Sequence, residues 1–275
     1  MNHIPIQSSF IYPVIESQHR QYGANLFVGT PLRENGDWRD YLPPEEDQKK
    51  YGVESSVCYI EAQQHTIATI EEETFEEVDN DYSSRFNALL SDGTAYGGDP
   101  LRGADSIRHD GLVRDASMPF GENIRSWDEF HSWKEVDEQA VRAEGKADIL
   151  RKDRNFGVIF EKDTPVETKY IILRQTLKYS PCPVSVAAWY EEHGVYRKPF
   201  GMNDNHLVEA VYVDESYRAY VRDTYPPYLK ILEPYFNFDF GMGWIVLKKP
   251  PLQGDILAKN SFCRVFKYWR DEIFA

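Results

Sequence analysis

The sequence predicts an α+β protein in which helices come first and strands second. Two observations carry that class. Residues 56–77 contain no Gly or Pro, and Val57, Ile60, Ile67, Ile70 and Thr74 fall roughly on one face, the pattern of a long helix. From residue 184 onward the texture changes to β-branched and aromatic runs at 184–190, 206–213, 218–221 and 244–247, which read as strands. Composition agrees with a packed core: 41% of the 275 residues are hydrophobic and 14% aromatic, including 18 Tyr. No internal repeat interrupts this order.

Taken along the chain, residues 1–36 read as an extended arm, punctuated by Pro5, Pro13 and Pro31. Residues 43–50 form a polar loop. Ser55 or Ser56 is the expected N-cap of the long helix, which puts Cys58 in its first turn. Asp99-Pro100 supplies a cap and a first-turn proline, and Gly111 a stop, so residues 100–110 form a short helix. Residues 126–150 are charged, carry Trp127 and Trp133, and read as helical. Thr164-Pro165-Val166-Glu167 has capping-box spacing ahead of an apolar run. The main domain spans 37–225, with a helical half at about 50–150 and a β half at about 160–225. Residues 226–275 form a C-terminal extension with strands, either completing the β half or serving assembly.

Charge and motifs exclude several functions. Lys and Arg number 31 against 45 Asp and Glu, a net charge of −14, so the chain repels phosphate backbones and no nucleic-acid partner is expected. No run of about 18 apolar residues predicts a membrane span, and residues 1–7 lack a secretory signal pattern. Three cysteines, Cys58, Cys182 and Cys263, fit a reducing, cytoplasmic compartment without a disulfide framework. There is no zinc spacing, P-loop, dinucleotide fingerprint or Gly-x-Ser-x-Gly elbow, so neither a metal nor a cofactor is expected. The acidic run Glu71-Glu72-Glu73 with Glu76-Glu77 reads as a solvated helix face.

One cysteine stands in a reactive context. A thiol in the first turn of a helix lies beside unpaired N–H groups and the positive end of the dipole, which favours the thiolate. Such a nucleophile needs a His as base and acid, a third group to orient that His, and donors for an oxyanion. Of seven histidines, 3, 19, 65, 109, 131 and 193 sit in polar contexts and read as solvated. His206 instead opens a strand after a polar turn. A hairpin at 214–216 would bring it beside Asp223, at the end of the next strand; the plainer reading is that Asp223 caps a turn before Pro226-Pro227. Cys182 and Cys263, in apolar or aromatic surroundings, read as inert.

These residues resemble the papain-like cysteine peptidases. Asp37-Trp38-Arg39, then Gln48, then Cys58 opening a helix, is similar to that family's N-terminal part. Tyr96-Gly97-Gly98 resembles its C-x-G-G stretch, and residues 104–120 its helix, glycine turn and Y-P-Y. Pro183-Val184-Ser185-Val186-Ala187 matches a family strand, Asn205-His206 its N-H-A-V, and Asp223-Thr224-Tyr225 falls at its N-S-W. The resemblance implies a helical left half and an antiparallel sheet or barrel as right half, with a cleft between them. It implies Cys58 as nucleophile, His206 as base and acid, Asp223 in place of the usual Asn, and Gln48 with the Cys58 N–H as oxyanion donors. Gly97 and Gly98 would bind an extended peptide through their backbone, Asn205 and Tyr225 would be further substrate-binding residues, and Tyr225 would also shield the His206–Asp223 contact.

The departures carry information too. The Gln48-to-Cys58 segment is longer than the family's, and Ser55 and Tyr96 replace two disulfide cysteines. The helical motif of the family's pro-region is not seen, so a full self-inhibitory pro-region is not expected. This disulfide-free pattern also resembles bacteriophage-encoded relatives, which implies a host-cytoplasmic or virion setting. The expected partner is a peptide or protein substrate, with assembly partners for the arm and extension. Two alternatives stay open: an inactive, structural papain-like protein, and a papain-like amidase or transglutaminase.

Overall fold

A computed structural model of the chain describes residues 30–78 and 80–249. Cys263, His3, His19 and most of the expected arm lie outside the described residues, as do positions 250–275 of the expected extension. Trp38, fully buried, anchors the start of the domain: its ring N–H donates to Leu177 O at 2.6 Å and its backbone N–H to Val211 O at 3.1 Å. Next comes a small hairpin, Lys49–Lys50 (β1) against Val53–Glu54 (β2). Its turn residues Tyr51 and Gly52 have φ of 54° and 81°, the left-handed pair that a two-residue hairpin of matching twist requires. This hairpin is the extra length between Gln48 and Cys58.

The long helix, α1, runs Cys58–Phe75, and every residue from Cys58 to Glu71 is buried. The expectation of a single apolar face therefore fails. The helix is enclosed by α2 (Ser84–Leu90) and α3 (Pro100–Asp110) on one side and by the sheet on the other. Several of its buried polar side chains are paired, although both Glu61 carboxyl oxygens make no hydrogen bond among the described residues. Gln63 Nε2 donates to Pro100 O at 3.0 Å, Gln64 Nε2 to Asn87 Oδ1 at 3.0 Å, and Thr69 Oγ1 to Glu209 Oε1 at 3.1 Å. The expected serine cap also fails. Val57 is the N-cap and makes no side-chain cap bond, while Ser55 donates to Gln48 O and Ser56 to Ala95 O.

Helix α3 begins and ends where the sequence places it, with the Asp99 carboxylate accepting from Leu101 N at 2.8 Å. Residues 126–150 are not one helix: α4 (Trp127–Phe130) and α5 (Glu138–Arg151) are separate, each with its own cap, Ser126 and Asp137. Helix α6 runs Val166–Thr176 with Pro165 as N-cap; the Thr164 hydroxyl accepts from Glu161 N rather than closing a capping box.

The strands are β3 (Lys152–Phe160), β4 (Cys182–Val186), β5 (Tyr190–Glu192), β6 (Val195–Arg197), β7 (His206–Val213), β8 (Ala219–Arg222), β9 (Leu229–Leu232) and β10 (Gly241–Lys248). They form one eight-stranded sheet in the order β3-β10-β4-β7-β8-β9-β6-β5. Every neighbouring pair is antiparallel except β6 with β9. The two ends of this order are not paired, so the sheet is open and the expected barrel is not formed. The expected strand at 184–190 is two strands, β4 and β5, interrupted at 187–189. Strand β10 pairs along its length with β3, from Gly241↔Phe160 to Lys248↔Lys152, and lies between β3 and β4. Strand β3 escapes the sequence reading because its first half, Lys-Asp-Arg-Asn, looks like a continued helix surface.

A buried charge network explains that polar start. Glu71, expected on a solvated face, is fully buried near the end of α1. Its carboxylate meets Arg154 at 2.9 Å and Lys152 at 2.9 Å, and accepts from Asn80 at 2.9 Å and from Tyr82. Arg154 also pairs with Asp148 of α5, whose carboxylate accepts from Leu112 N. One cluster thus ties α1, α5 and β3 together. Removing one partner of a buried pair strands the other charge at a cost of about 3–5 kcal/mol. Arg154→Met is therefore expected to lower the free energy of urea unfolding by about 3 kcal/mol or more. A loss within about 0.5 kcal/mol, the range of surface substitutions, would show that the network does not hold the halves together.

Candidate active site

The N-terminus of α1 and the first residue of β7 converge. Cys58 and His206 are both fully buried, and the Cys58 Sγ accepts from the Leu207 N–H at 3.5 Å. The β7–β8 hairpin, with Glu209 opposite Arg222, brings Asp223 beside His206 as the spacing predicts. His206 Nε2 lies 2.6 Å from Asp223 Oδ1. With Nε2 committed to the carboxylate, Nδ1 is left for the thiol, and the ring is in hydrogen-bonding and charge contact with Cys58. Burial alone would pull the imidazole down; the charges of Cys58 and Asp223 outweigh it and push His206 up to about 10. At neutral pH the ring is therefore an imidazolium, held against the Asp223 carboxylate.

Asp223 is held on every side. Its Oδ1 also accepts from Thr224 N at 2.7 Å, and its Oδ2 lies 2.7 Å from Lys230 Nζ, an ion contact off the ideal hydrogen-bond direction. Burial would push its carboxyl up, but His206 and then Lys230 hold it below the usual carboxylate range. The His206 ring lies between two aromatic rings. Trp189 meets it edge-on at 6.2 Å, and Tyr225, the expected shield, lies tilted at 5.7 Å.

Gln48 lies in the same cluster, fully buried, and Thr224 sets its orientation. The Thr224 hydroxyl donates to Gln48 Oε1 at 3.0 Å, which turns the amide N–H₂ the other way. That N–H₂ is occupied. It donates to Glu54 Oε1 at 2.8 Å and to the Tyr225 hydroxyl, and Tyr225 donates to Glu54 Oε2 at 2.8 Å. The Ser56 N–H adds a third donor to Glu54 at 3.2 Å. The β1–β2 hairpin thus carries a carboxylate onto the donors expected to hold an oxyanion. Burial and the Glu54 charge hold the Tyr225 phenol well above its ordinary value, so it remains a donor.

Gly97, Gly98 and Asn205 also make internal contacts. Gly97, at φ 101°, exchanges both backbone hydrogen bonds with Thr94, at 2.9 Å each. A Cβ on Gly98 would lie 2.2 Å from the Tyr59 ring, so glycine is required there by the α1 side chain. Asn205 Oδ1 accepts from Ala188 N at 2.7 Å, tying the loop after β4 to the start of β7. Two of the histidines read as solvated are not. His65 is buried near Glu46 and His131 stacks on Trp127, and burial pulls each down to about 4. Cys182 is fully buried, and burial pushes its thiol well up.

Sequence reasoning missed Glu54, Lys230 and Trp189. Tyr51-Gly52 is a weak hairpin signal, and a lone lysine in Leu-Lys-Ile-Leu hints at a paired buried charge. For Trp189 there was no signal beyond its place at the end of the 184–190 run.

Solved structures with a similar fold are papain-like cysteine proteases. Xylellain, a cysteine protease from Xylella fastidiosa, matches at a TM-score of 0.56 and 17% identity, covering 90% of this chain and 97% of that one. The bromelain protease from Ananas comosus, in complex with the E64 inhibitor, matches at 0.53 and 16%, covering 75% and 96%. The proform of Amb a 11, a ragweed pollen cysteine protease, matches at 0.53 and 15%; 80% of this chain spans 60% of that one. No protein-family model matches the sequence, and no curated protein matches it. The fold is that of the papain-like cysteine proteases.

Glu54 both covers the donors beside the thiol and adds negative charge there. Glu54→Ala is expected to raise the rate of Cys58 alkylation by iodoacetamide at pH 6 severalfold, read by mass spectrometry of the labelled peptide. An unchanged or slower rate would mean that the carboxylate neither blocks nor charges the site.

Proposed function

We propose that the chain is a cysteine peptidase, acting through a thioester on Cys58. The observation that carries this reading is the buried Cys58–His206–Asp223 alignment, with an imidazolium at neutral pH beside a thiol at a helix N-terminus. With the thiol proton resting on His206, Sγ attacks as the thiolate at the peptide carbonyl carbon. The charge that develops on its oxygen is met by the Cys58 N–H and, once Glu54 has left them, by Gln48 Nε2 and the Tyr225 hydroxyl. His206 then gives its proton to the leaving amine. In the second half, His206 takes a proton from water, whose oxygen attacks the thioester; the acid product leaves and the thiol and ring return to their starting state. Asp223 keeps the ring oriented throughout. The substrate in this reading is a peptide or protein chain.

A second reading is favoured by one observation. With Cys58, His206 and Gln48 fully buried and Glu54 on the oxyanion donors, the described state has no room for a substrate carbonyl. A papain-like scaffold that does not hydrolyse peptides would look the same.

Labelling separates the two. Iodoacetamide at pH 6 is expected to modify Cys58 rapidly, because an ordinary thiol, with a pKa of about 8.5, hardly reacts there. His206→Ala is expected to abolish that labelling, and peptide-library turnover is expected to stop with it. Reduced, folded protein that stays unlabelled would favour the scaffold. A second expectation concerns pH: Asp223→Ala slows labelling at neutral pH more than at alkaline pH, and equal slowing at both would remove Asp223 from the charge relay. Turnover should hold through neutral pH and decline as pH rises through about 10, where His206 loses the proton it gives to the amine.

A further inference from the structure

Lys230 is a lysine almost without exposure, 3% at its side chain, in a short strand of otherwise apolar residues. Its Nζ lies within 2.7 Å of three oxygens: Asp223 Oδ2 at 2.7 Å, Tyr225 O at 2.6 Å and Pro227 O at 2.6 Å. The Tyr225 and Pro227 carbonyls accept hydrogen bonds from it and the Asp223 carboxylate oxygen makes an ion contact, so an anionic oxygen and two carbonyls converge on one nitrogen, a setting that suits an ammonium. The same nitrogen sits over the Trp189 ring at 5.6 Å and the Tyr196 ring at 5.5 Å, a setting that favours a cation. Lys230 is therefore a built, charged position directly behind the carboxylate that orients His206.

The charge count gives it a task. A thiolate and an imidazolium held by a neutral amide sum to zero. Here a carboxylate takes the amide's place, and Cys58, His206 and Asp223 sum to one uncompensated negative charge in a fully buried site. Such a charge takes up a proton unless a cation is supplied. We infer that Lys230 is a positioning residue that supplies this cation, keeping Asp223 ionised and aimed at His206 so that the thiolate–imidazolium pair survives with an aspartate in the triad. The inference rests on the reading of Cys58 as nucleophile. It also explains why the lysine is locked by the 225–227 backbone rather than left on a flexible stem.

The titratable and charged groups facing the pair are Glu54 on β2, Tyr59 and Glu61 on α1, Tyr225 and Asp223 after β8, Lys230 on β9 and Tyr196 on β6. The readout is the rate of Cys58 alkylation by iodoacetamide between pH 5 and pH 9, which needs no substrate. If the wild-type protein is not labelled at pH 6, the peptidase reading fails first. Given labelling, Lys230→Met, which keeps the stem under Trp189 and Tyr196, removes one positive charge. The site then holds a proton more, so labelling at pH 6 falls at least tenfold while labelling at pH 9 stays within about threefold. Lys230→Arg keeps the charge and is expected to keep the acid limb of the profile.

The decisive variant is Asp223→Asn/Lys230→Met, which restores a neutral sum without either charge. It is expected to recover labelling at pH 6 at least fivefold over Lys230→Met, whereas a lysine needed only for packing would leave the double variant no better. A wild-type profile in Lys230→Met, or no recovery in the double variant, overturns the inference. If Lys230→Met does not fold, the double variant decides alone: folded and labelled at pH 6 supports the compensating charge, and unfolded or inert overturns it.

Discussion

The enclosure of α1 on all sides is the constraint on which the rest of this structure depends. An 18-residue helix laid between a helical layer and a sheet cannot keep a solvated face, so each of its polar side chains needs an internal partner. Gln63 and Gln64 find theirs on α3 and α2, Thr69 on β7, and Glu71 on β3. Those pairings fix how the helix is rotated. The rotation in turn brings Cys58 to the start of β7, where the Leu207 N–H and the His206 ring meet its sulfur. The site's geometry is a consequence of packing along the whole length of the helix rather than of local turns at its end.

Buried charge is handled in the same way at both ends of that helix. At the C-terminal end, Glu71 and Asp148 face Arg154 and Lys152. At the N-terminal end, Asp223 faces His206 and Lys230. In each place buried carboxylates face buried cations. A buried pair of this kind adds little net stability over an apolar substitute, but it is costly to break, and it specifies one arrangement. Glu54 stands apart from this pattern. It is partly exposed and is held by neutral donors, Gln48, Tyr225 and the Ser56 N–H, so leaving them costs hydrogen bonds rather than a stranded ion.

The likeness to solved papain-like proteases runs at 15–17% identity for the three structures described, low enough that only a few motifs survive in the chain. Where this protein departs from the family pattern, the departures are connected. The longer segment before Cys58 is a hairpin, and the hairpin delivers Glu54. The aspartate beside His206 comes with a buried lysine. Gly98 fits a family motif associated with substrate, yet the packing of Tyr59 against it suffices to require glycine. At that residue packing is a constraint in its own right, beside whatever role substrate gives it.

The sequence by itself determined whatever is settled within a few residues of chain or by a strong ordered pattern. The cap, first-turn proline and glycine stop of α3 satisfy backbone groups locally, and α3 is where they put it. The β7–β8 hairpin follows from two apolar runs around a polar turn, and it carries His206 to Asp223. Only the tertiary structure decided which charged residues are solvated and which are not. Glu71 and Arg154 are 83 residues apart, and nothing near either one encodes the other. The same holds for the Glu54 carboxylate on Tyr225, 171 residues away. A charge near water and a charge paired in the core look alike in a sequence, because what separates them is a partner delivered by the fold.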